Sequence, residues 1–244
     1  MLLAHLAYPN RLSDLAMKFG YTTVQSFIHS KWKHLLEWDH VRLTPERLAQ
    51  YARTIERKGA PTGTVWGFID GTIRAIARPT RRQRTCYNGW KRKHCLKYHA
   101  IVTPDGLISH LFGPQYAHTP DGTPLQVYGD PAYSISNFLL SPYQGTQITQ
   151  DQKLWNQEMS RLRIVVEWAF KEMVNMFGFL DYAKNQKHLL QPVGVQFRVA
   201  ALLHNAHITQ YFEILHNVGV EAPAGETMEE RLLEPPSLLE YFHH

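Results

Sequence analysis

Three acidic side chains carry the chemistry that this sequence could do: Asp70, Asp130 and Glu167. Asp70 ends the apolar run Thr64-Val-Trp-Gly-Phe-Ile-Asp70-Gly-Thr72, which reads as a buried strand broken by Gly71. Asp130 ends the shorter run Gln126-Val-Tyr-Gly-Asp130 in the same way. A carboxylate closing an apolar strand must be paired, hydrogen-bonded or bound to a cation. Parallel neighbouring strands that both end on Asp set the two side by side, and a helix across the sheet can bring a Glu to the same point. Three close carboxylates cannot all stay ionised without cations. Hard oxygen donors with room left for phosphate suit Mg²⁺ or Mn²⁺. Two such ions can activate a water or hydroxyl, hold a scissile phosphate and stabilise the leaving oxygen. The plainer alternative makes Asp70 a turn residue and Glu167 one member of a helical ion-pair ladder with Arg163 and Lys171, four residues to either side.

The elements that must position these groups follow from periodicity. Arg11–Gly20 has helical apolar spacing and a terminal glycine, and a second helix opens at Tyr21 and extends towards Trp38. The pair resembles a helix-turn-helix only weakly, because the second helix starts poor in basic groups. A third helix is expected from Thr44, as cap, to Arg57, with Pro45 in its first turn. Residues 58–63 read as a linker. Strands then follow at 64–70, 73–77, 98–103 and 107–112, the last two joined by a Pro104-Asp-Gly106 turn. Residues 126–130 give a further strand, 131–140 a turn or short helix. Residues 150–177 form the longest helix, stopped by Gly178, and a last helix covers about 193–216. His204 and His207 in it read as ordinary histidines.

The chain has 244 residues, 44% of them hydrophobic, and a net charge of +5. Nine Lys and Arg side chains and no acid fall between Gly71 and Ala100, so the rest of the chain is mildly acidic. Such a block is a local polyanion surface rather than global stickiness. Tyr87, Trp90 and Tyr98 interleave with it, as in surfaces that hold a nucleic-acid backbone. Its candidate contacts are Arg81, Arg82, Arg84, Lys91, Arg92 and Lys93. Two cysteines, Cys86 and Cys95, make neither a CxxC pair nor a disulfide framework. No apolar run approaches a membrane helix and Met1-Leu-Leu-Ala-His5 lacks a signal-peptide layout, so a soluble intracellular protein is expected.

Phe68-Ile-Asp70-Gly-Thr72, Tyr128-Gly-Asp130-Pro-Ala-Tyr133 and Arg163-Ile-Val-Val-Glu167-Trp-Ala-Phe170 resemble, in order, the three acidic motifs of the DDE superfamily endonucleases. The nearest group is the PIF/Harbinger-type transposases and the nucleases derived from them. Lys91-Arg-Lys-His94, Leu139-Leu-Ser-Pro-Tyr143 and, more loosely, Lys31–Asp39 are similar to that group too. The resemblance implies an α/β fold, an RNase H-like mixed sheet flanked by helices over residues 61–218. A small helical N-terminal region (1–60) would precede it and a loose tail (219–244) follow. It implies Asp70, Asp130 and Glu167 as a metal-binding catalytic triad, with Arg163 steadying Glu167 or touching phosphate. It also implies divalent-metal-dependent cleavage of DNA, a Myb-like targeting partner and a nuclear address.

One departure accompanies the resemblance. The family carries a His-Asp motif and a helix between its third strand and its second Asp. Here that place holds only Gly113–Leu125, where Thr119 follows His118 and Asp121 reads as a turn residue. A parallel crossover needs about a dozen residues or more, usually helical. The expectation is that a segment has been lost, leaving an apolar patch exposed beside the Asp130 strand. Two alternatives to a working nuclease stand: a catalytically impaired remnant that only binds DNA, and a helix–sheet interaction module whose acids are caps and ion pairs.

Overall fold

The computed structural model describes residues 21–111, 117–118, 124–188, 190–218 and 233–242. The helix expected at 11–20, most of the 113–125 stretch including Asp121, and the tail from 219 to 232 lie outside these residues. So does the side chain of His118.

Helix α1 (Tyr21–Trp32) runs into a 3-10 turn at Lys33–Leu36. Helix α2 (Pro45–Arg57) starts where the sequence places it: Thr44 Oγ1 accepts the Arg47 amide at 3.3 Å, and Pro45 opens the first turn. Strand β1 (Val65–Ala75) follows, then a short helix α3 (Gln83–Cys86) and strands β2 (Tyr87–Asn88), β3 (Lys93–Val102), β4 (Ile108–His110), β5 (Ala117–His118), β6 (Pro124–Tyr128) and β7 (Leu139–Leu140). Two long helices, α4 (Gln150–Met176) and α5 (Val193–Val218), and a short α6 (Leu238–Phe242) complete the described chain. A capping box sets the start of α4, Thr149 and Gln152 each bonding the other's backbone.

Seven strands form one mixed sheet. β1 is central. It pairs antiparallel with β3 and parallel with β6, while β4 lies antiparallel on β3 and β7 parallel on β6. A meander of three antiparallel strands beside two parallel ones is the RNase H-like arrangement. Alternate side chains leave opposite faces, apart from an irregularity between Val65 and Gly67 that sends Trp66 and Phe68 to different sides. Phe68, Ala100, Val102 and Tyr128 point to α4 and α5 and bury against Met159, Leu162, Val166 and Met173. Trp66, Ile69, Ile101, Leu125 and Val127 point the other way, to α2, against Leu43, Leu48, Tyr51 and Ala52.

Three expectations need correction. β1 does not stop at Asp70; it runs through Gly71 to Ala75, since β3 pairs with it residue by residue from Phe68↔Val102 to Ala75↔Cys95. Gly71 thus pairs with His99 inside the strand and does not terminate it. The apolar patch expected beside the Asp130 strand is not exposed: Leu125 and Val127 are 1% accessible, under α2. Among the described residues, the cover comes from a helix earlier in the chain. Lastly, the stretch after Asp130 contains β7, two residues that extend the parallel side of the sheet.

A buried polar cluster ties the segment before α2 to the β3–β4 turn. Asp105 is fully buried and accepts from Tyr51 Oη, from Thr103 Oγ1 at 2.6 Å and from the Leu107 amide at 3.3 Å. Arg42 reaches Asp105 at 3.5 Å, Asp39 at 3.4 Å and Ser109 Oγ at 2.7 Å. Burial, with the Asp105 charge beside it, pushes the Tyr51 hydroxyl up to about 12.

Candidate active site

The parallel pairing of β1 and β6 aligns Gly67 with Val127 and Phe68 with Tyr128. Carried on two residues, that register sets Asp70 beside Asp130 on the face that α4 covers. Ile69 and Gly129 do touch: a Cβ on Gly129 would lie 2.9 Å from Ile69 Cγ2. Neighbouring strands are about 4.8 Å apart, so the two carboxylates share one edge of the sheet. Asp70 Oδ1 accepts its neighbour's amide, Gly71 N–H, at 2.8 Å, and Asp130 Oδ1 accepts Ala132 N–H at 2.9 Å. Both carboxylates are therefore pinned by their own backbone.

Glu167 comes from α4, on the exposed flank beside the buried stripe Leu162, Val165, Val166 and Ala169. Arg163, one helical turn earlier, joins the groups. Its Nη2 donates to Glu167 Oε1 at 3.1 Å, and its Nη1 lies 3.7 Å from Asp70 Oδ1. The ion-pair ladder expected of the helix is thus half present, and it extends to the strand. Lys171 instead lies over the Trp168 ring at 5.6 Å. Burial pushes the Asp70 carboxyl above its ordinary value. The Gly71 amide and Arg163 oppose that shift, and the negative charges of Asp130 and Glu167 reinforce it. Asp70 therefore sits within electrostatic reach of both Asp130 and Glu167.

An open cleft of about 340 Å³ adjoins Asp70 and Glu167, walled by Thr72, Arg74, Lys171 and Asn175. Arg74 is held by Thr72 Oγ1 at 2.7 Å and Asp181 at 3.3 Å. The cleft sets cations against carboxylates, which is how a site for a phosphate-bearing ligand is built. Carboxylate oxygens are the donor type that a hard divalent cation takes, and burial disfavours Asp70 as an unpaired anion. Among the described residues no three His, Cys, Asp or Glu side chains are gathered as ready metal ligands. In their place, the Arg163 guanidinium lies between Asp70 and Glu167.

Of the remaining candidates, Arg81, Arg82, Arg84, Lys91, Arg92 and Lys93 are all exposed, on the segment joining β1 to β3. That tip projects beyond Asp70 by about 16 Å along β1, five residues at roughly 3.3 Å each. Arg163 does not belong to that surface; its side chain is 18% exposed.

Sequence reasoning missed a pair on the opposite face. His99 Nδ1 and Tyr133 Oη are 2.6 Å apart, with the rings edge to face. The Tyr133 ring fits there because Gly129 has no side chain; a Cβ on Gly129 would lie 2.8 Å from it. Burial, then the charges of Asp70 and Asp130, raise the Tyr133 hydroxyl, while burial and Lys97 lower His99. The only sequence signal was the spacing of Gly129, Asp130 and Tyr133.

Against known proteins, residues 69–205 match one family, described as DDE superfamily endonuclease. No curated protein and no solved structure matches. The match begins one residue before Asp70, ends within α5 and takes in Asp130 and Glu167. It spans more than half of the chain, over the same strands and helix that converge at the cleft, and the chain belongs to the DDE superfamily of endonucleases.

Proposed function

We propose that this endonuclease cleaves DNA phosphodiesters with divalent cations, Mg²⁺ or Mn²⁺, held by Asp70, Asp130 and Glu167. What carries the reading is the parallel β1–β6 register with Asp70 beside Asp130, together with Glu167 tied to Asp70 through Arg163. Bound between these carboxylates, a pair of cations would supply Lewis-acid activation of the attacking water and neutralise charge on the phosphate. The chain's own part is to hold and orient. Asp70 and Asp130 are fixed by backbone amides, and Arg163 steadies Glu167. Arg74 and Lys171 line the cleft where a phosphate would rest. One P–O bond to a sugar oxygen is exchanged for one to the water oxygen. In a complete transposase a DNA hydroxyl takes the place of that water, which is strand transfer.

Supercoiled plasmid tests this directly. Wild-type protein nicks it with Mg²⁺ or Mn²⁺ and not with EDTA. The second reading, a remnant that binds DNA without cutting it, draws on Arg163 lying between Asp70 and Glu167. Binding without nicking under any divalent cation would select it.

The hairpin cations hold the backbone in this reading. Replacing Lys91, Arg92 and Lys93 together by Gln should weaken DNA binding uniformly across sequences. It should also lower the slope of log K against log salt by about 3, near 0.9 per lost phosphate contact. An unchanged slope in filter-binding titrations would remove these residues from the interface.

Tyr133 and Gly129 set the position of Asp130. Gly129→Ala must displace the Tyr133 ring or Ile69, and should cut nicking by about 10- to 100-fold with an unaltered circular dichroism spectrum. Wild-type rates in that variant would mean that the Asp130 turn tolerates movement.

Within the superfamily, Tyr128-Gly-Asp130-Pro-Ala-Tyr133 and Lys91-Arg-Lys-His94 support a PIF/Harbinger-type origin. A nuclear address and a Myb-like DNA-targeting partner follow from that origin. A tagged chain excluded from nuclei would count against both.

A further inference from the structure

A lone exposed aromatic is ordinary on a protein surface. Trp90 has a different setting. It is 81% exposed near the end of the segment from Arg78 to Lys93, which carries no acid and six other cationic side chains besides the neighbouring Lys91. Lys91 Nζ stands 4.1 Å from the centre of one indole face. Tyr87, three residues earlier, is 50% exposed and edge-on to His94. The backbone here is also unusual. Among the described residues, the non-glycine residues with positive φ are Arg82 at 54° and Arg92 at 51°, both in this segment. Side chains rarely adopt that conformation, and it persists where the surroundings or a function hold it. The Asn88 side chain fixes the turn, accepting the Lys91 amide at 2.9 Å.

We propose that Trp90 is a stacking site for an unpaired nucleobase, with the cations around it on the flanking phosphates. The chemistry of the patch selects the ligand. An aromatic plane in water gains most from another flat, polarisable ring, and the surrounding charge attracts a polyanion. Duplex DNA offers the phosphates but keeps its base faces stacked, so only an unpaired stretch satisfies both halves of the surface. Lys91 covers one indole face, which leaves the other for the base. The inference rests on the nucleic-acid reading above and narrows it: the favoured substrate has single-stranded or frayed nucleotides about 16 Å or more from the cut phosphate, the reach of β1 beyond Asp70.

The test is fluorescence anisotropy with the full chain in EDTA, so that nothing is cut. The probes are a 20-nucleotide thymidine strand and a 20-base-pair blunt duplex. Trp90→Ala should lose roughly 5- to 150-fold in affinity for the single strand and less than about 2-fold for the duplex. Trp90→Phe should keep most of the single-strand affinity, which a loss of folding would not allow. The salt slope should be the same in all three proteins, since no cation is removed. Equal losses on both probes, or no loss on the single strand, overturn the proposal and leave the nuclease reading intact. Wild-type protein that binds neither probe overturns both.

Discussion

Asp70→Asn abolishes metal-dependent nicking, by at least about 10³-fold, and leaves the protein as stable as wild type or more so. The first half follows from position. Asp70 is the one acid within reach of both others: Asp130 lies beside it across the β1–β6 pair, and Glu167 joins it through Arg163. Cation stabilisation of a phosphoryl transition state contributes several kcal/mol, and each 1.36 kcal/mol is tenfold in rate. The second half follows from the direction of its pKa. Burial, with Asp130 and Glu167 adding to it, raises the folded Asp70 pKa above its ordinary value. The folded state then holds a proton more readily than the unfolded chain does. Stability therefore falls as pH rises from the ordinary Asp value through the raised one, and near pH 7 the ionised group is a net burden. A neutral Asn removes that burden while keeping the shape. Plasmid nicking and a melting curve on the same preparation check both halves. Intact nicking would remove Asp70 from the reaction. A large fall in melting temperature would mean that the carboxylate holds the fold rather than serving the chemistry.

Asp105→Ala lowers stability by about 3–5 kcal/mol, the range for removing one partner from a buried ionic cluster. The mechanism is abandonment of the others. Without Asp105, Tyr51 Oη and the Leu107 amide lose their acceptor, and Arg42 keeps its charge with only the Asp39 carboxylate opposite it. Because this cluster fastens the chain before α2 to the β3–β4 turn, its loss should also loosen the cover over Trp66 and Leu125. Urea unfolding followed by tryptophan fluorescence measures the effect. Typical domains have 5–15 kcal/mol in all, so the midpoint shift would be large. A change below about 1 kcal/mol would mean that water replaces the carboxylate readily.

Much of this was readable from residue order. Local stereochemistry marks helix boundaries, so Thr44 with Pro45 placed the start of α2, and Gly178 the end of α4, closely. Asp70 and Asp130 stood out because each follows an apolar run; Glu167 stood out through the resemblance of Arg163–Phe170 to an acidic motif, since Arg163 one turn away reads equally as a plain ion-pair partner. What was hidden depends on partners distant in sequence. Gly71 reads as a strand breaker until β3 is seen beside it. Asp105 in Pro-Asp-Gly reads as a turn residue, and it is one, with Gly106 at φ +81°; nothing nearby announces that Tyr51 and Arg42 converge on it. The cover of the β6 face was sought in the crossover after β4, because local reasoning looks along the chain, whereas α2 supplies it from before the sheet. The His99–Tyr133 contact was invisible for the same reason, since it joins residues 34 apart in sequence and the Tyr133 ring lies against Gly129.

The most direct measurement is a crystal structure grown with Mn²⁺ and read by anomalous scattering. Convergence of the three acids on cations predicts one or two manganese peaks within about 2.0–2.3 Å of Asp70 and Asp130 oxygens, with Arg163 moved off Asp70 and Glu167 turned inward. Manganese bound elsewhere, with Arg163 still lying between Asp70 and Glu167, would contradict it.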